Sequence, residues 1–267
     1  MSIETVARLE LISPEEKHIP SMRSLWKEAF GDSEEFLNSF FKTAFSPARC
    51  RVAVRENEVL GALYIFDCEY QNKKIAYIYA VATRKNARGQ GICKELMIDT
   101  HKYLFDSGYA GAILVPSEPS LFGVYEKLGY RTCSDIGEFC AEASDETVRI
   151  SKIEKSEYID NRRLFLPPNS VVQENRGVEF LATYASFYKG RDFLLAAYKA
   201  DEKLHGIELL GNIDAAPAIL RALGCEKGFF RVPPRESERM AKTCPFAMYF
   251  SLDKTTPSPE YFGIAFD

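Results

Sequence analysis

The chain has 267 residues, enough for one large or two smaller domains, and its 46% apolar and 27% charged content is that of a soluble globular protein. A net charge of −4 without an extended Lys/Arg run excludes nucleic acid as a main partner, and no apolar stretch approaches the ~20 residues of a membrane span. Seven cysteines at irregular spacing, with no CxxC pair and no basic-then-apolar leader, point to reduced thiols, no metal centre and a cytoplasmic location.

Residues 20–45 read as two helices. Met22, Leu25, Trp26 and Phe30 give the first an apolar face, and Gly31 ends it. Asp32, with Glu35 three residues on, predicts the start of the second, whose apolar face carries Phe36, Leu37, Phe40 and Phe41. A meander of strands follows over residues 50–55, 59–69 and 75–83, joined by the polar turns at 56–58 and 71–74. The third strand is apolar and aromatic throughout, as expected of a central strand covered on both faces. Residues 91–106 read as a helix, 110–115 as a short strand, 117–128 as a helix ended by Gly129, and Tyr130 onward as a strand.

This order implies a mixed α/β (α+β) sheet. The first domain is expected over residues 1–143. A second, at 148–267, is predicted to contain a helix at 154–166, strands at 193–198 and 204–210, a helix at 213–223, and strands at 229–232, 247–252 and 261–266. Its strand–helix–strand run is a shortened echo of residues 75–115. His18, His101 and His205 are isolated and read as surface or loop residues, outside any triad or metal motif.

Chemistry concentrates where the third strand runs out. Arg88-Gly89-Gln90-Gly91-Ile92-Cys93 places two glycines and a cation between a buried strand and a helix start. Glycines let backbone approach a ligand, and the first amides of a helix have no internal partners and sit at its positive end, an arrangement that binds phosphate. The loop lacks GxGxxG and Gly-Lys-Ser/Thr, which excludes a Rossmann fingerprint and a P-loop. On the residues alone, a phosphate cradle and a plain strand–helix turn stay open.

The stretch resembles the Arg/Gln-x-x-Gly-x-Gly/Ala signature of the GCN5-related N-acetyltransferases (GNAT), with Cys93 in place of the final Gly or Ala. Residues 121–130, Leu-Phe-Gly-Val-Tyr-Glu-Lys-Leu-Gly-Tyr, resemble the family's later helix motif. The two-part layout is similar to the tandem enhanced-intracellular-survival acetyltransferases. The resemblance implies a GNAT-type sheet with a splayed parallel strand pair and a smaller, degenerate GNAT-like second unit. It implies transfer of acetyl from acetyl-coenzyme A, as co-substrate, to the primary amine of a small aminoglycoside-like or polyamine-like molecule. The other reading is a catalytically weak acyl-CoA sensor or scaffold. Oligomeric state stays open.

The resemblance also carries residue roles. Val81, Ala82 and Thr83 would follow the pantetheine arm, and Arg88, Gly89, Gln90, Gly91, Ile92 and Cys93 would hold the pyrophosphate. Tyr125 would protonate the departing thiolate. Ser120 would contact the cofactor or cap its helix. Arg84 and Lys85 would reach the 3′-phosphate of the adenosine or be solvated, and solvation is the preferred reading. The central strand lacks the family's acidic base, so Asp267, at the end of the last predicted strand, is the candidate base. Trp26, Phe30, Phe36, Tyr64, Phe66 and Tyr79 are candidates for the acceptor pocket.

Overall fold

The computed structural model describes residues 8–174, 176–234 and 242–266. The chain opens with β1 (Glu10–Ile12), α1 (Ile19–Phe30) and α2 (Glu34–Thr43), followed by β2 (Cys50–Arg55), β3 (Glu58–Tyr70) and β4 (Lys73–Thr83). Next come α3 (Ile92–Asp106), β5 (Gly111–Leu114), α4 (Phe122–Glu126) and β6 (Arg131–Glu142). The second half contains β7 (Ser151–Ile153), α5 (Lys155–Phe165), β8 (Val172–Gln173), α6 (Arg176–Leu181), β9 (Ser186–Lys189) and β10 (Phe193–Ala200). It ends with β11 (Lys203–Gly211), α7 (Ala216–Leu223), β12 (Lys227–Val232) and β13 (Lys242–Ser251).

Local chemistry explains the elements. The hairpins β2–β3, β3–β4 and β10–β11 each turn on two residues with positive φ: Glu56-Asn57, Gln71-Asn72 and Asp201-Glu202. That geometry matches the twist of the paired strands. In α1, Pro20 lies in the first turn and Gly31, at φ 75°, ends the helix. Ser33, not the expected Asp32, caps α2 by accepting the Phe36 amide at 3.2 Å. Asp32 is thereby released for another task.

The described strands form one sheet in the order β1-β2-β3-β4-β5-β13-β6-β12-β11-β10-β9-β7, with β8 added beside β3. Two strand pairs on this path are parallel, β4–β5 and β11–β12. The halves exchange their last strands. β6, from the first, runs antiparallel to β12, while β13, from the second, inserts between β5 and β6. This joins the halves through backbone hydrogen bonds.

Strand alternation divides the core. Tyr64 and Phe66 point to one face, with Trp26, Phe40, Phe180, Ile207 and Phe262, in a cluster that spans both halves. Leu63 and Ile65 point to the other, against Ile92, Leu96 and Leu104 of α3 and Tyr125 of α4. A third cluster packs α7 on the second half. Fully burying each such side chain contributes roughly 1.5–3 kcal/mol.

Two expectations change here. Residues 261–266 form no strand: Tyr261 makes one isolated bridge to Ser170, and the rest is irregular backbone buried between the halves. The histidines are not all superficial. His18 is buried and its Nδ1 accepts the Glu15 amide; His101 stacks on Phe250 at 4.2 Å and bonds the Tyr130 hydroxyl.

Candidate active site

β4 and β5 pair only from Ile75↔Gly111 to Tyr77↔Ile113. Beyond that point Ile78, Tyr79, Ala80 and Val81 part from Leu114 and Val115, and all six line one cavity of about 1160 Å³. A bulge shapes the opening. Tyr64 pairs with Tyr79 and Ala62 with Ala82, so Leu63 faces both Ala80 and Val81. Ala80 sits at φ 49°, a left-handed conformation that is costly for a residue with a Cβ and often marks a functional backbone.

Tyr125 reaches the same cavity from α4 and is 8% exposed. Gly129, at φ 94°, folds the chain back so that the Tyr130 amide bonds the Tyr125 carbonyl at 3.1 Å. Burial pushes the Tyr125 phenol above its ordinary pKa, with a smaller contribution from neighbouring Cys93. The side chain is therefore a protonated hydrogen-bond donor at neutral pH.

The Gly-rich loop lies beside the cavity, and residues 88–93 are not part of its wall. Gly89 and Gly91 have φ 78° and 82°, and the space beside each Cα is open. The first backbone bond of α3 runs from the Glu95 amide to the Gly91 carbonyl at 3.0 Å. The helix's earlier amides are thus free of internal partners, as an anion cradle needs. Arg88 is exposed, with Nε donating to the Thr83 carbonyl at 3.2 Å. Cys93 fits into the first turn, half-buried.

Arg84 is not solvated as expected. It is 9% exposed and donates to Val59 O, Ser21 O and Glu28 Oε2 at 3.2, 3.0 and 3.3 Å, tying α1 to the β3–β4 edge. Lys85 is exposed. Ser120 is exposed and bonds Glu118, outside the cavity wall.

Of the six aromatic pocket candidates, the structure brings Phe30, Phe36 and Tyr79 to the cavity. Trp26, Tyr64 and Phe66 are buried behind its wall as core, because they face inward from α1 and β3 onto Phe40. Trp26 still acts on the site indirectly. Its indole N–H donates to Asp32 Oδ2 at 2.7 Å and holds that carboxylate at the cavity wall.

Much of the wall had no sequence signal. Tyr184, Tyr198 and Phe246 come from the second half, and Glu138 from the exchanged strand β6. Glu138 pairs with Arg231 at 3.2 Å, and that guanidinium lies 5.4 Å from the Phe246 ring. Phe266 completes the wall, 5.6 Å from Tyr79 and 4.8 Å from Phe66. Asp267 lies outside the described residues. No group of three or more His, Cys, Asp or Glu side chains among the described residues is arranged to hold a metal, and none of the described helices is long and apolar enough to cross a membrane.

A parallel pair that splays over a bulged strand, with a glycine-rich turn into the next helix, defines a GNAT-type acyltransferase fold. The acetyltransferase (GNAT) domain family matches residues 10–133. The whole fold is similar to a GCN5-related N-acetyltransferase from Kribbella flavida: TM-score 0.70, 16% identity, 95% of this chain and 73% of that one. It is also similar to Eis1 from Mycobacterium abscessus, at TM-score 0.67 and 12% identity over 92% and 74% of the two chains. A GCN5-related N-acetyltransferase from Sphaerobacter thermophilus matches at TM-score 0.53 and 12% identity, covering 96% of this chain and 98% of that one. At these identities the likeness is one of fold. No curated protein matches by sequence.

Proposed function

We propose that the protein transfers acetyl from acetyl-coenzyme A to the primary amine of a small molecule held between its two halves. One observation carries this reading. A single cavity runs from the strand splay and Tyr125 to an aromatic wall built by both halves, with Asp32, Glu118, Glu126 and Glu138 among its lining residues.

The residues fit the cofactor. Open, positive-φ backbone at Gly89 and Gly91 and the first amides of α3 suit its pyrophosphate, with Arg88 adding a charge-assisted bond. The parted edges at Val81 and Leu114 suit the narrow pantetheine arm. Bound there, the cofactor supplies an activated acyl carbon and a thiolate leaving group.

Tyr125 donates to the sulfur as charge develops on it. A free thiol has pKa ~8.5 and a phenol ~10. With burial raising the phenol further, its main contribution is a hydrogen bond to the nascent thiolate, completed by proton transfer as water re-enters. The acceptor arrives largely as an ammonium ion and must lose a proton. Asp32 attracts it, and Asp267, the residue after Phe266, is the proposed base.

The wall refines the substrate class. Phe30, Phe36, Tyr198, Phe246 and Phe266 suit an amine on an aromatic or alkyl body better than a polyhydroxylated one. The deciding experiment is acetyl-CoA turnover, read as free thiol, against arylalkyl amines, polyamines, aminoglycosides and peptides. Arylalkyl amines are expected to be the best acceptors. Coenzyme A binding without turnover of any amine would favour an acyl-CoA sensor.

A further inference from the structure

Residues 261–266 are all buried although they form no strand. Groups from the second half and from the exchanged strand β6 hold Tyr261, Phe262 and Ile264. Glu208 Oε1 accepts the Tyr261 hydroxyl at 3.0 Å. The Gln173 amide clasps Ile264 at both ends, accepting its N–H at 3.0 Å and donating to its carbonyl at 2.5 Å. The Val171 amide bonds the Tyr261 carbonyl at 2.9 Å, and Ser134 Oγ, on the exchanged strand β6, accepts the Phe262 amide at 3.1 Å.

Behind these grips lies a buried ion pair. Arg162 Nε and Nη2 meet the two Glu208 oxygens at 2.6 and 2.8 Å, and the Tyr158 hydroxyl donates to the same carboxylate at 3.0 Å. Arg162 and Glu208 are 2% and 1% exposed. Arg162 Nη2 also donates to Gln173 Oε1 at 3.4 Å, so the ion pair and the amide clasp are one network. The fit leaves no space: a Cβ on Gly263 would stand 1.9 Å from Glu208 Oε1. Burying two charges is costly unless geometry and hydrogen bonding are complete, and an apolar pair of similar volume often serves stability equally well. The pair therefore calls for a role other than stability. The chain it holds leads directly to Ala265 and Phe266, both on the cavity wall.

We propose that Arg162, Glu208 and Gln173 are positioning residues for the acceptor site. They fix residues 261–266 so that Phe266 closes the cavity against Tyr79 and Phe66. The second half thereby governs acceptor binding, while cofactor binding stays with the first. The kinetic arm of this proposal rests on the acetyltransferase reading above; the structural arm does not.

Removing Glu208 alone would strand a buried Arg162 charge and risk unfolding. The test therefore uses Gln173→Met, which deletes the clasp, and the double variant Arg162→Met, Glu208→Leu, which replaces the pair by apolar volume. Three quantities are read: amide hydrogen exchange of residues 261–266, coenzyme A affinity by calorimetry, and 2-phenylethylamine binding and turnover on the cofactor-loaded protein. Exchange in the segment is expected to accelerate about ten-fold or more while coenzyme A affinity holds. The KM for the amine should rise about ten-fold, and kcat should fall as well, because the same segment leads into Asp267, the proposed base. Unchanged exchange in both variants would overturn the proposal. So would a loosened segment with unaltered amine KM, or coenzyme A affinity falling in step. Should the wild-type protein neither bind nor acetylate the amine, the acceptor reading fails, and the exchange data alone decide the anchoring.

Discussion

Tyr79 and Glu208 stand at the same step of two parallel strand pairs. Each lies two residues past the last paired position, Tyr77↔Ile113 in β4–β5 and Gly206↔Phe230 in β11–β12. Tyr79 faces the open cavity, whereas Glu208 is sealed by Arg162, Tyr158 and Tyr261. One half thus keeps its strand splay accessible, and the other fills the equivalent place with an ion pair and residues 261–263. This asymmetry is the physical argument for a single acyl-transfer site.

Calorimetry should accordingly find one coenzyme A per chain. Arg88 is exposed beside the proposed cradle, and its side chain bonds Thr83 O. Arg88→Glu sets a negative charge against phosphate and should weaken binding about ten-fold or more without altering thermal stability. Unaltered affinity would remove the pyrophosphate from this loop.

Tyr125→Phe deletes one hydroxyl from a buried ring and should leave packing and coenzyme A affinity intact. Turnover should fall by about 100-fold, the low end for general acid catalysis, because a thiolate is already a good leaving group. Wild-type turnover in this variant would reduce Tyr125 to a packing residue.

The sequence was informative where function and local chemistry coincide. Gly89, Gly91 and the three hairpin turns declare themselves by residue type, since positive φ selects few side chains, whereas Tyr125 stood out only through the family resemblance. The acceptor wall does not. Tyr198, Phe246 and Glu138 meet only because β6 and β13 change places, and a strand's pairing partner is set by tertiary packing that periodicity does not encode. Asp32 was misread as a cap because Ser33, one residue on, satisfies the same amide geometry. Residues 261–266 looked like a strand from their apolar aromatics, yet their backbone bonds go to Gln173, Ser134 and Val171 instead of a ladder.

His101 supplies a pH test of folding. Burial pulls its pKa from 6.5 down to about 4, so the folded protein holds it neutral. The unfolded chain takes up the proton first as pH falls, so stability from this group is complete above about 6.5 and is lost toward pH 4, up to roughly 3 kcal/mol. His101→Phe keeps a ring against Phe250 but cannot titrate; losing the Tyr130 bond costs about 1 kcal/mol at pH 7. In urea unfolding, the wild-type advantage at pH 7 should shrink or reverse by pH 4.5. Parallel stability curves would show that His101 does not titrate on unfolding.

Asp32→Asn probes the acceptor most directly. The carboxylate is fixed by the Trp26 indole at 2.7 Å, and an Asn side-chain oxygen can accept the same bond, so the wall should keep its shape. Only the charge is lost. A hydrogen bond to a charged group contributes about 1.5–3 kcal/mol, which sets the expected rise in amine KM at about ten-fold or more. Coenzyme A affinity should not move, because the proposed pyrophosphate site lies at residues 88–93 and Asp32 is not among the residues proposed to flank the pantetheine arm. A neutral probe separates charge from shape: 2-phenylethanol should inhibit wild-type and variant equally, while 2-phenylethylamine distinguishes them. If KM is unchanged, Asp32 serves only to orient Trp26, and the ammonium ion meets another carboxylate of the wall, Glu118, Glu126 or Glu138.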